Sequence, residues 1–223
     1  MNATTRAIPF VTSDDVGAAV GRATRHLREN QLLAYPTETV YGLGSSIDPT
    51  AVEQLAALKE RDRNKPFLVL IAGLHMLDDL ALRLTTHATR LMEQFWPGPL
   101  TLVLASTRLP ASRFLRGAEG AVAVRWTAHP GVQRVVTALG APITSTSANG
   151  RGLPPATTAQ EIAVLWGRAV ESGELLVLDG GWLAGGTPST VVDCSHGPPR
   201  VLREGAIGAG ALRNVVPDLI GDL

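Results

Sequence analysis

A cluster of cations precedes one apolar run of this 223-residue chain and could bind anionic groups. Four cations lie within seven residues, directly before the apolar run 67–72: Lys59, Arg61, Arg63 and Lys65. Lysine supplies a point charge and arginine a planar fork, and both suit phosphate groups. Cations are also typical of a solvated helix C-terminus, and taken alone the cluster favours that simpler interpretation.

Hydroxyl-bearing residues follow two other predicted strands. Three consecutive hydroxyls, Ser145 to Ser147, and then Asn149 follow a strand-like run that begins at Ala141. Such a polar run seldom serves a core, and its donors suit phosphate oxygens or a ribose. Thr37 and Thr39 follow another short strand, and their hydroxyls either bind a ligand or satisfy the backbone of a turn.

One arginine lies inside a predicted strand. Arg125 falls in the run 122–126, where a free cation is costly unless it is paired, so it binds either a substrate carboxylate or an internal acid. His129 stands before a proline and is more typical of a turn than of a catalytic base. Ser189 belongs to a further polar cluster at 188–193, and Arg203 lies on the strand predicted after it.

Helical and strand-like patterns alternate along the chain and predict the elements that position these residues. The predicted helices run from a capping box at 12–15 to Leu27, over 48–59, over 74–95 with a break near Thr85, and over 131–139, 158–166 and 208–216. The predicted strands are 31–35, 67–72, 100–105, 121–126, 141–145, 175–178, 190–194 and 200–203. This alternation predicts a single α/β domain with a mixed sheet covered by helices on both faces. Polar clusters at strand ends are where such sheets bind ligands.

The composition limits the classes of partner. Lysine plus arginine balances aspartate plus glutamate at 20 each, so no global field draws the chain onto nucleic acid. The single cysteine, Cys194, excludes an internal disulfide and is typical of a small buried side chain. The N-terminus does not resemble a signal peptide, and no apolar stretch approaches the roughly 20 residues of a membrane span. We therefore expect a soluble, cytoplasmic protein that does not contact a membrane.

Common nucleotide and hydrolase motifs are missing from the sequence. It contains no GxxxxGK[ST] phosphate loop, no HExxH zinc pair and no GxSxG nucleophile elbow. The run GAIGAG near the C-terminus is a poor match to a dinucleotide fingerprint, because no apolar strand and downstream acid frame it. If ATP binds, an unusual site binds it.

With these clusters, the sequence from Asp14 to Ile207 resembles the YrdC-like family of threonylcarbamoyl-adenylate synthases. The most specific elements are the segment PTETVYGLG, a KxR signature and an SxN signature. The segments FWPGPLTLVL, VAVRWTAHP, PSTVVD and LREGAI also resemble the family's sequence. Several ordered motifs with matching spacing make a chance match implausible.

The resemblance implies a twisted, mixed α/β sheet that curls around a large, positively charged cavity. It implies condensation of L-threonine, bicarbonate and ATP, with Mg²⁺ on the phosphates, to give threonylcarbamoyl-AMP and pyrophosphate. A tRNA threonylcarbamoyl-transfer complex would then use the product, and direct tRNA contact would be weak. Two alternatives stay open: an RNA-binding protein of this fold without the activity, and another carbamoyl-adenylate-forming enzyme.

The resemblance also implies roles for individual residues. The expected ATP-binding residues are Lys59, Arg61, Lys65, Ser147, Asn149 and Arg203, of which Lys59, Arg61, Ser147 and Asn149 are also expected to be catalytic. The expected threonine-binding residues are Thr39, Arg125, Ser145 and Ser189. No protein side chain is expected to bind a metal directly.

The chain departs from the family pattern at two positions. Leu70 stands where many relatives have a histidine, and Ala121 stands where a threonine is common. These departures bear on the threonine and ATP contacts but not on the reaction class. The expected organisation is an N-terminal tail at 1–12, a catalytic domain at 13–207, and a C-terminal helix or tail at 208–223.

Overall fold

The computed structural model of the chain describes residues 7–62, 65–108 and 112–221. The strands are β1 (Ile8–Pro9), β2 (Leu32–Pro36), β3 (Tyr41–Gly44), β4 (Leu68–Ile71), β5 (Leu100–Leu104), β6 (Val122–Trp126), β7 (Ile143–Ser147), β8 (Leu175–Asp179), β9 (Thr190–Asp193) and β10 (Arg200–Arg203). The helices are α1 (Ser13–Arg28), α2 (Pro49–Leu58), α3 (Met76–Asp79), α4 (Thr86–Phe95), α5 (Pro130–Leu139), α6 (Ala159–Leu165), α7 (Gly167–Ser172) and α8 (Ala209–Val215). Short 3-10 helices lie at Arg113–Leu115 and Ala118–Gly120. None of the described helices is long and apolar enough to cross a membrane.

The first of two compact units combines Met1–Asp62 with His129–Gly185. Its strands lie in the order β1-β8-β2-β3-β7. The pairs β1–β8 and β2–β8 are parallel, whereas β2–β3 and β3–β7 are antiparallel. Helix α1 packs against α5. Strand β2 is buried along its whole length, so it forms the centre of this unit's core.

The second unit combines Arg63–Ala128 with Gly186–Leu223. Its strands lie in the order β4-β6-β5-β9-β10. The pairs β4–β6 and β5–β9 are parallel, whereas β5–β6 and β9–β10 are antiparallel. The predicted α/β class, with a mixture of parallel and antiparallel strands, is confirmed. The predicted division into a tail, one catalytic domain and a C-terminal segment stays a prediction.

The starts of α1, α4 and α6 follow from side chains that satisfy the first free N–H groups. In the box before α1, the Thr12 hydroxyl accepts from the Asp15 N–H at 3.1 Å, and the Asp15 carboxylate accepts from the Thr12 N–H at 2.9 Å. Thr158 and Glu161 form the second predicted box, before α6. The predicted break within 74–95 is confirmed, because the Thr85 hydroxyl caps α4.

Besides the two short 3-10 helices, strands β1 and β3 and helix α7 were not predicted from the sequence. Strand β1 has two residues, and α7 follows α6 directly at Trp166, so neither has a pattern of useful length. Strand β3 contains Gly42 and Gly44, and glycine disfavours strands. Gly44 is nevertheless required there, because a Cβ would lie 2.2 Å from the carbonyl oxygen of Thr144.

Helix α2 ends in a pair of backbone hydrogen bonds that places the two cations of the KxR signature. Lys59 is the C-cap residue, and Glu60 adopts the left-handed conformation with φ 48°. The Glu60 N–H donates to the Ala57 carbonyl at 3.1 Å, and the Arg61 N–H donates to the Ala56 carbonyl at 2.9 Å. These two bonds form a Schellman motif. The left-handed position of this motif is usually occupied by glycine. Lys59 and Arg61 therefore leave the helix on either side of a sharp, strained turn.

Replacing Glu60 by glycine should stabilise the fold. We expect Glu60→Gly to raise the free energy of unfolding by about 0.5–1 kcal/mol, because glycine has no Cβ to oppose a positive φ. Glu60→Ala removes the same charge but keeps the Cβ, so it should give no gain. Urea unfolding of the three proteins measures the difference, and equal stability of the two variants would show that backbone strain at Glu60 is unimportant.

Candidate active site

The residues predicted to bind ligands are divided between the two units. The first unit contains Thr39, Lys59, Arg61, Ser145, Ser147 and Asn149. The second contains Lys65, Arg125, Ser189 and Arg203. In both units part of the group lies at or beside a strand end, as the sequence predicts for a ligand site in an α/β sheet.

The hydroxyl run of β7 passes from the core to the surface of the first unit. Thr144 and Ser145 are buried, Thr146 is half-buried, and Ser147 is exposed. The Thr144 hydroxyl accepts from the Ser45 N–H at 2.8 Å, so it belongs to the core. Strand β7 ends at Ser147, so the alternation of side chains along the strand does not extend to Asn149. Asn149 lies in the loop that follows the strand.

The Lys59 ammonium joins the KxR signature to the SxN signature. Its Nζ donates to the Ser147 carbonyl at 2.9 Å, to the Asn149 side-chain oxygen at 3.0 Å, and to the Asn149 carbonyl. An ammonium has three donors, so all three are used by the end of β7 and the loop that follows it. Burial, together with the nearby positive charge of Arg61, lowers the pKa of Lys59 to about 8.

Asn149 holds the loop after β7 through its side-chain amide. Its Oδ1 accepts from the Ser147 hydroxyl at 2.6 Å as well as from Lys59. Its Nδ2 donates to the carbonyls of Gly150 at 3.2 Å and Leu153 at 2.9 Å. Both ends of the amide are therefore engaged, and the position of the Ser147 hydroxyl depends on Asn149.

Arg61 lies two residues after Lys59 and turns back to the same strand. Its Nη1 donates to the Thr146 hydroxyl at 3.4 Å, a long contact. Burial lowers the pKa of Arg61, and the negative charge of Asp62 opposes that shift. Arginine starts from so high a pKa that the guanidinium stays charged at neutral pH. The first unit thus presents two cations beside the end of β7.

The PTETVYGLG segment is held largely by its own side chains. The Thr37 hydroxyl donates to the Val40 carbonyl at 2.6 Å, so for Thr37 the turn interpretation is correct. Tyr41 donates to the Gly181 carbonyl at 2.8 Å and accepts from the Gly180 N–H at 2.9 Å. Burial raises the pKa of Tyr41 to about 12, so the phenol stays neutral. Thr39 is half-buried beside this turn, and its ligand role stays a prediction.

In the second unit, Arg203 is bound to the segment that carries Ser189. The Arg203 Nε and Nη2 donate to the Ser189 carbonyl at 3.2 and 2.7 Å, and Nη2 also donates to the Ser189 hydroxyl at 3.3 Å. The Ser189 hydroxyl is buried and lies 2.9 Å from the Thr101 hydroxyl. Sequence reasoning missed Thr101, although a threonine in the apolar strand LTLVL was a usable signal.

Arg125 lies near the end of β6 and close enough to Arg203 for their charges to interact. Its Nε donates to the Gly98 carbonyl at 2.9 Å, and the Gly98 N–H donates back to the Trp126 carbonyl at 2.9 Å. Burial lowers the pKa of Arg203, and the positive charge of Arg125 adds to that effect. Two guanidinium groups that repel each other form a natural site for an anion, since an anion beside both relieves the repulsion.

His129 and Cys194 have structural roles. His129 caps α5, where its Nδ1 accepts from the Val132 N–H at 3.3 Å, and its ring stacks on Phe10. Burial lowers the pKa of His129, which keeps the ring neutral at physiological pH. Cys194 is buried, and burial raises the pKa of its thiol to about 12. A turn histidine and an inert cysteine agree with the simpler interpretations of both.

The two departures from the family pattern lie in the core of the second unit. Leu70 pairs with Arg125 across β4 and β6, and both Leu70 and Ala121 are buried. Lys65 is exposed near the start of this unit. Across residues 7–62, 65–108 and 112–221, no group of histidine, cysteine, aspartate or glutamate side chains is arranged to hold a metal ion.

Comparison with known proteins gives a consistent group of relatives. The chain is 35% identical over 198 residues to the threonylcarbamoyl-AMP synthase of Pyrococcus abyssi, a match that covers 88% of this chain and 57% of that protein. It is also 35% identical over 187 residues to the threonylcarbamoyl-AMP synthase of Chromohalobacter salexigens, covering 83% of this chain and 96% of that protein. The chain therefore spans little more than half of one relative and nearly all of the other.

The fold comparison agrees with the sequence comparison. A crystal structure of P. abyssi Sua5 complexed with L-threonine superposes with a TM-score of 0.82 at 32% identity, covering 96% of this chain and 62% of that chain. Residues 25–205 match the sequence model of the Sua5/yciO/yrdC family, which is described as "Telomere recombination". The resemblance found in the motifs is thereby confirmed, and the chain belongs to the Sua5/yciO/yrdC family.

Proposed function

We propose that this chain catalyses the synthesis of threonylcarbamoyl-AMP from L-threonine, bicarbonate and ATP. The amino group of threonine adds to bicarbonate with loss of water, and an oxygen of the resulting carbamate attacks the α-phosphorus of ATP. One oxygen–phosphorus bond forms, the bond to the bridging oxygen breaks, and pyrophosphate leaves. The relatives that carry this activity in their names support the proposal. The observation that carries it is the contact of Lys59 with Ser147 and Asn149.

The first unit is proposed to bind the nucleotide. Lys59 and Arg61 would stabilise negative charge on the phosphates as pyrophosphate departs, which is the main task of a protein in this class of reaction. The Ser147 hydroxyl and the Asn149 amide would donate to phosphate or ribose oxygens after local rearrangement. These four residues form the proposed catalytic group. The nucleotide roles of Lys65 and Arg203 stay predictions.

The second unit is proposed to bind the amino acid through its carboxylate. Arg125 presents a guanidinium beside a second cation, and a bidentate pair with a carboxylate suits that geometry. Ser189 would add its hydroxyl, whose direction Thr101 and Arg203 fix. Carbamate formation needs mainly positioning, and a held carboxylate supplies it. Thr39 and Ser145 stay predicted threonine contacts.

Magnesium is proposed to enter as the complex with ATP. Mg²⁺ usually keeps several waters and binds substrate phosphates rather than an all-protein cage. We further propose that the product passes to a tRNA threonylcarbamoyl-transfer complex in the cytoplasm. Direct contact with tRNA would be weak, because the formal net charge of the chain is +0.

Pyrophosphate release that requires L-threonine and bicarbonate together is the first expected result. Lys59→Ala and Arg61→Ala should each lower the rate at least about tenfold, since a charge-assisted hydrogen bond contributes roughly 1.5–3 kcal/mol. Arg90→Ala, at an exposed position on α4, is the matched control and should leave the rate unchanged. Release without threonine would favour another carbamoyl-adenylate chemistry. Inactivity accompanied by RNA binding would favour the RNA-binding alternative.

The affinity for ATP should fall at alkaline pH. The pKa of Lys59 in the free protein is about 8, so the fraction of charged ammonium decreases as the pH rises through that value. Calorimetric titration with ATP, without threonine, should therefore show a dissociation constant that increases above about pH 8. Lys59→Arg keeps a charged side chain throughout and should remove the dependence. If the dissociation constant of the wild type stayed constant up to pH 9.5, on the order of 1.5 units above that pKa, the charge of Lys59 would not contribute to ATP binding.

Arg125 variants should separate the two substrates. Arg125→Gln should raise KM for threonine at least about tenfold and leave the ATP dissociation constant within about twofold, because its proposed partner is the carboxylate. Arg125→Lys keeps the charge but lacks the planar guanidinium fork, so its KM for threonine should lie between those of the wild type and Arg125→Gln. Arg90→Gln serves as the control. Equal effects on the two substrates would contradict the assignment of Arg125 to threonine.

A further inference from the structure

Trp166 lies against the Lys59 ammonium and belongs to none of the family motifs. The Lys59 Nζ lies over the indole ring, 5.7 Å from its centroid. A cation within about 6 Å of a tryptophan face is attracted by the ring's quadrupole. The contact joins residues far apart in sequence, within the first unit.

Backbone hydrogen bonds fix the main chain that carries this indole. Trp166 ends α6 and begins α7, where its N–H donates to the Ile162 carbonyl at 2.9 Å and its carbonyl accepts from the Val170 N–H at 3.1 Å. The side chain is half-buried. Two helices thus fix the backbone from which the ring projects.

The partners of the Lys59 ammonium are oxygens of Ser147 and Asn149 and the ring of Trp166, and none of these carries a negative charge. Burial of a cation in such a place favours its neutral form. A carboxylate would restore the charge, but it would also compete with an incoming phosphate. A ring face favours the cation and leaves its charge uncompensated.

Resting on the proposed function, we propose that Trp166 is a positioning residue whose indole face holds the charged Lys59 ammonium against residues 147–149, where it meets the phosphates of ATP. Trp166 contacts Lys59 rather than the reacting atoms. The ring and the loop oxygens together would fix both the location and the charge of the ammonium before the nucleotide binds.

Substitutions at Trp166 distinguish the ring face from mere bulk. Trp166→Leu should weaken ATP binding about three- to tenfold, because leucine fills part of the volume without a quadrupole. Trp166→Phe keeps a ring face and should stay within about twofold of the wild type. KM for threonine should change in neither variant. In a Lys59→Ala background, Trp166→Leu should have no further effect on ATP binding.

The titration of Lys59 gives a readout that does not depend on turnover. Lys59 and Lys65 are the only lysines of the chain, so ¹³C-labelled lysine should give two signals, assigned with Lys65→Arg. Trp166→Leu should lower the pKa of Lys59 relative to the wild type, and Trp166→Phe should lower it less. These results would hold even if the protein made no threonylcarbamoyl-AMP, which separates the two proposals.

Three outcomes would overturn the proposal. One is an unchanged Lys59 titration in Trp166→Leu. Another is a loss of ATP affinity in Trp166→Phe as large as that in Trp166→Leu. The third is an equal effect of Trp166→Leu with and without Lys59, which would indicate that the tryptophan only supports the local fold. Far-ultraviolet circular dichroism and urea unfolding check that each variant is folded.

Discussion

A lysine ammonium has three hydrogen atoms to donate, and Lys59 uses all of them on Ser147 and Asn149, at and just after the end of β7, about 90 residues further along the chain. This interaction constrains where the elements of the first unit begin and end. Helix α2 must end where strand β7 ends, and the chain must turn sharply after the helix. The left-handed Glu60 provides that turn at some cost in backbone strain.

In the second unit, too, backbone carbonyls orient the cations. Arg125 is directed by the Gly98 carbonyl and Arg203 by the Ser189 carbonyl, as Lys59 is directed by the carbonyls of its loop. Backbone carbonyls orient a cation while leaving most of its charge available. In a chain whose formal net charge is +0, anion binding depends on such local arrangements rather than on a global field.

Much of the fold followed from local signals, because helix caps and buried apolar runs act within a few residues. The boxes at Thr12 and Thr158 and the break at Thr85 needed no tertiary information. Strand β3 was missed because its glycines oppose a strand locally, and only the packed neighbour Thr144 explains Gly44. Asn149 could not be placed from side-chain alternation, since the strand stops two residues before it.

The residues of the candidate site also differ in whether the sequence could identify them. Motifs identified Lys59 and Asn149, because charge and hydrogen-bonding capacity can be read from residue type. They assigned no role to Trp166 or Thr101, whose importance is seen in what these side chains touch. A neutral partner such as the Trp166 ring is invisible to reasoning from charge, yet it favours the charged form of the Lys59 ammonium that lies over it. An acid in the place of Trp166 would hold the Lys59 ammonium as firmly, but it would satisfy the charge that a phosphate must find unsatisfied.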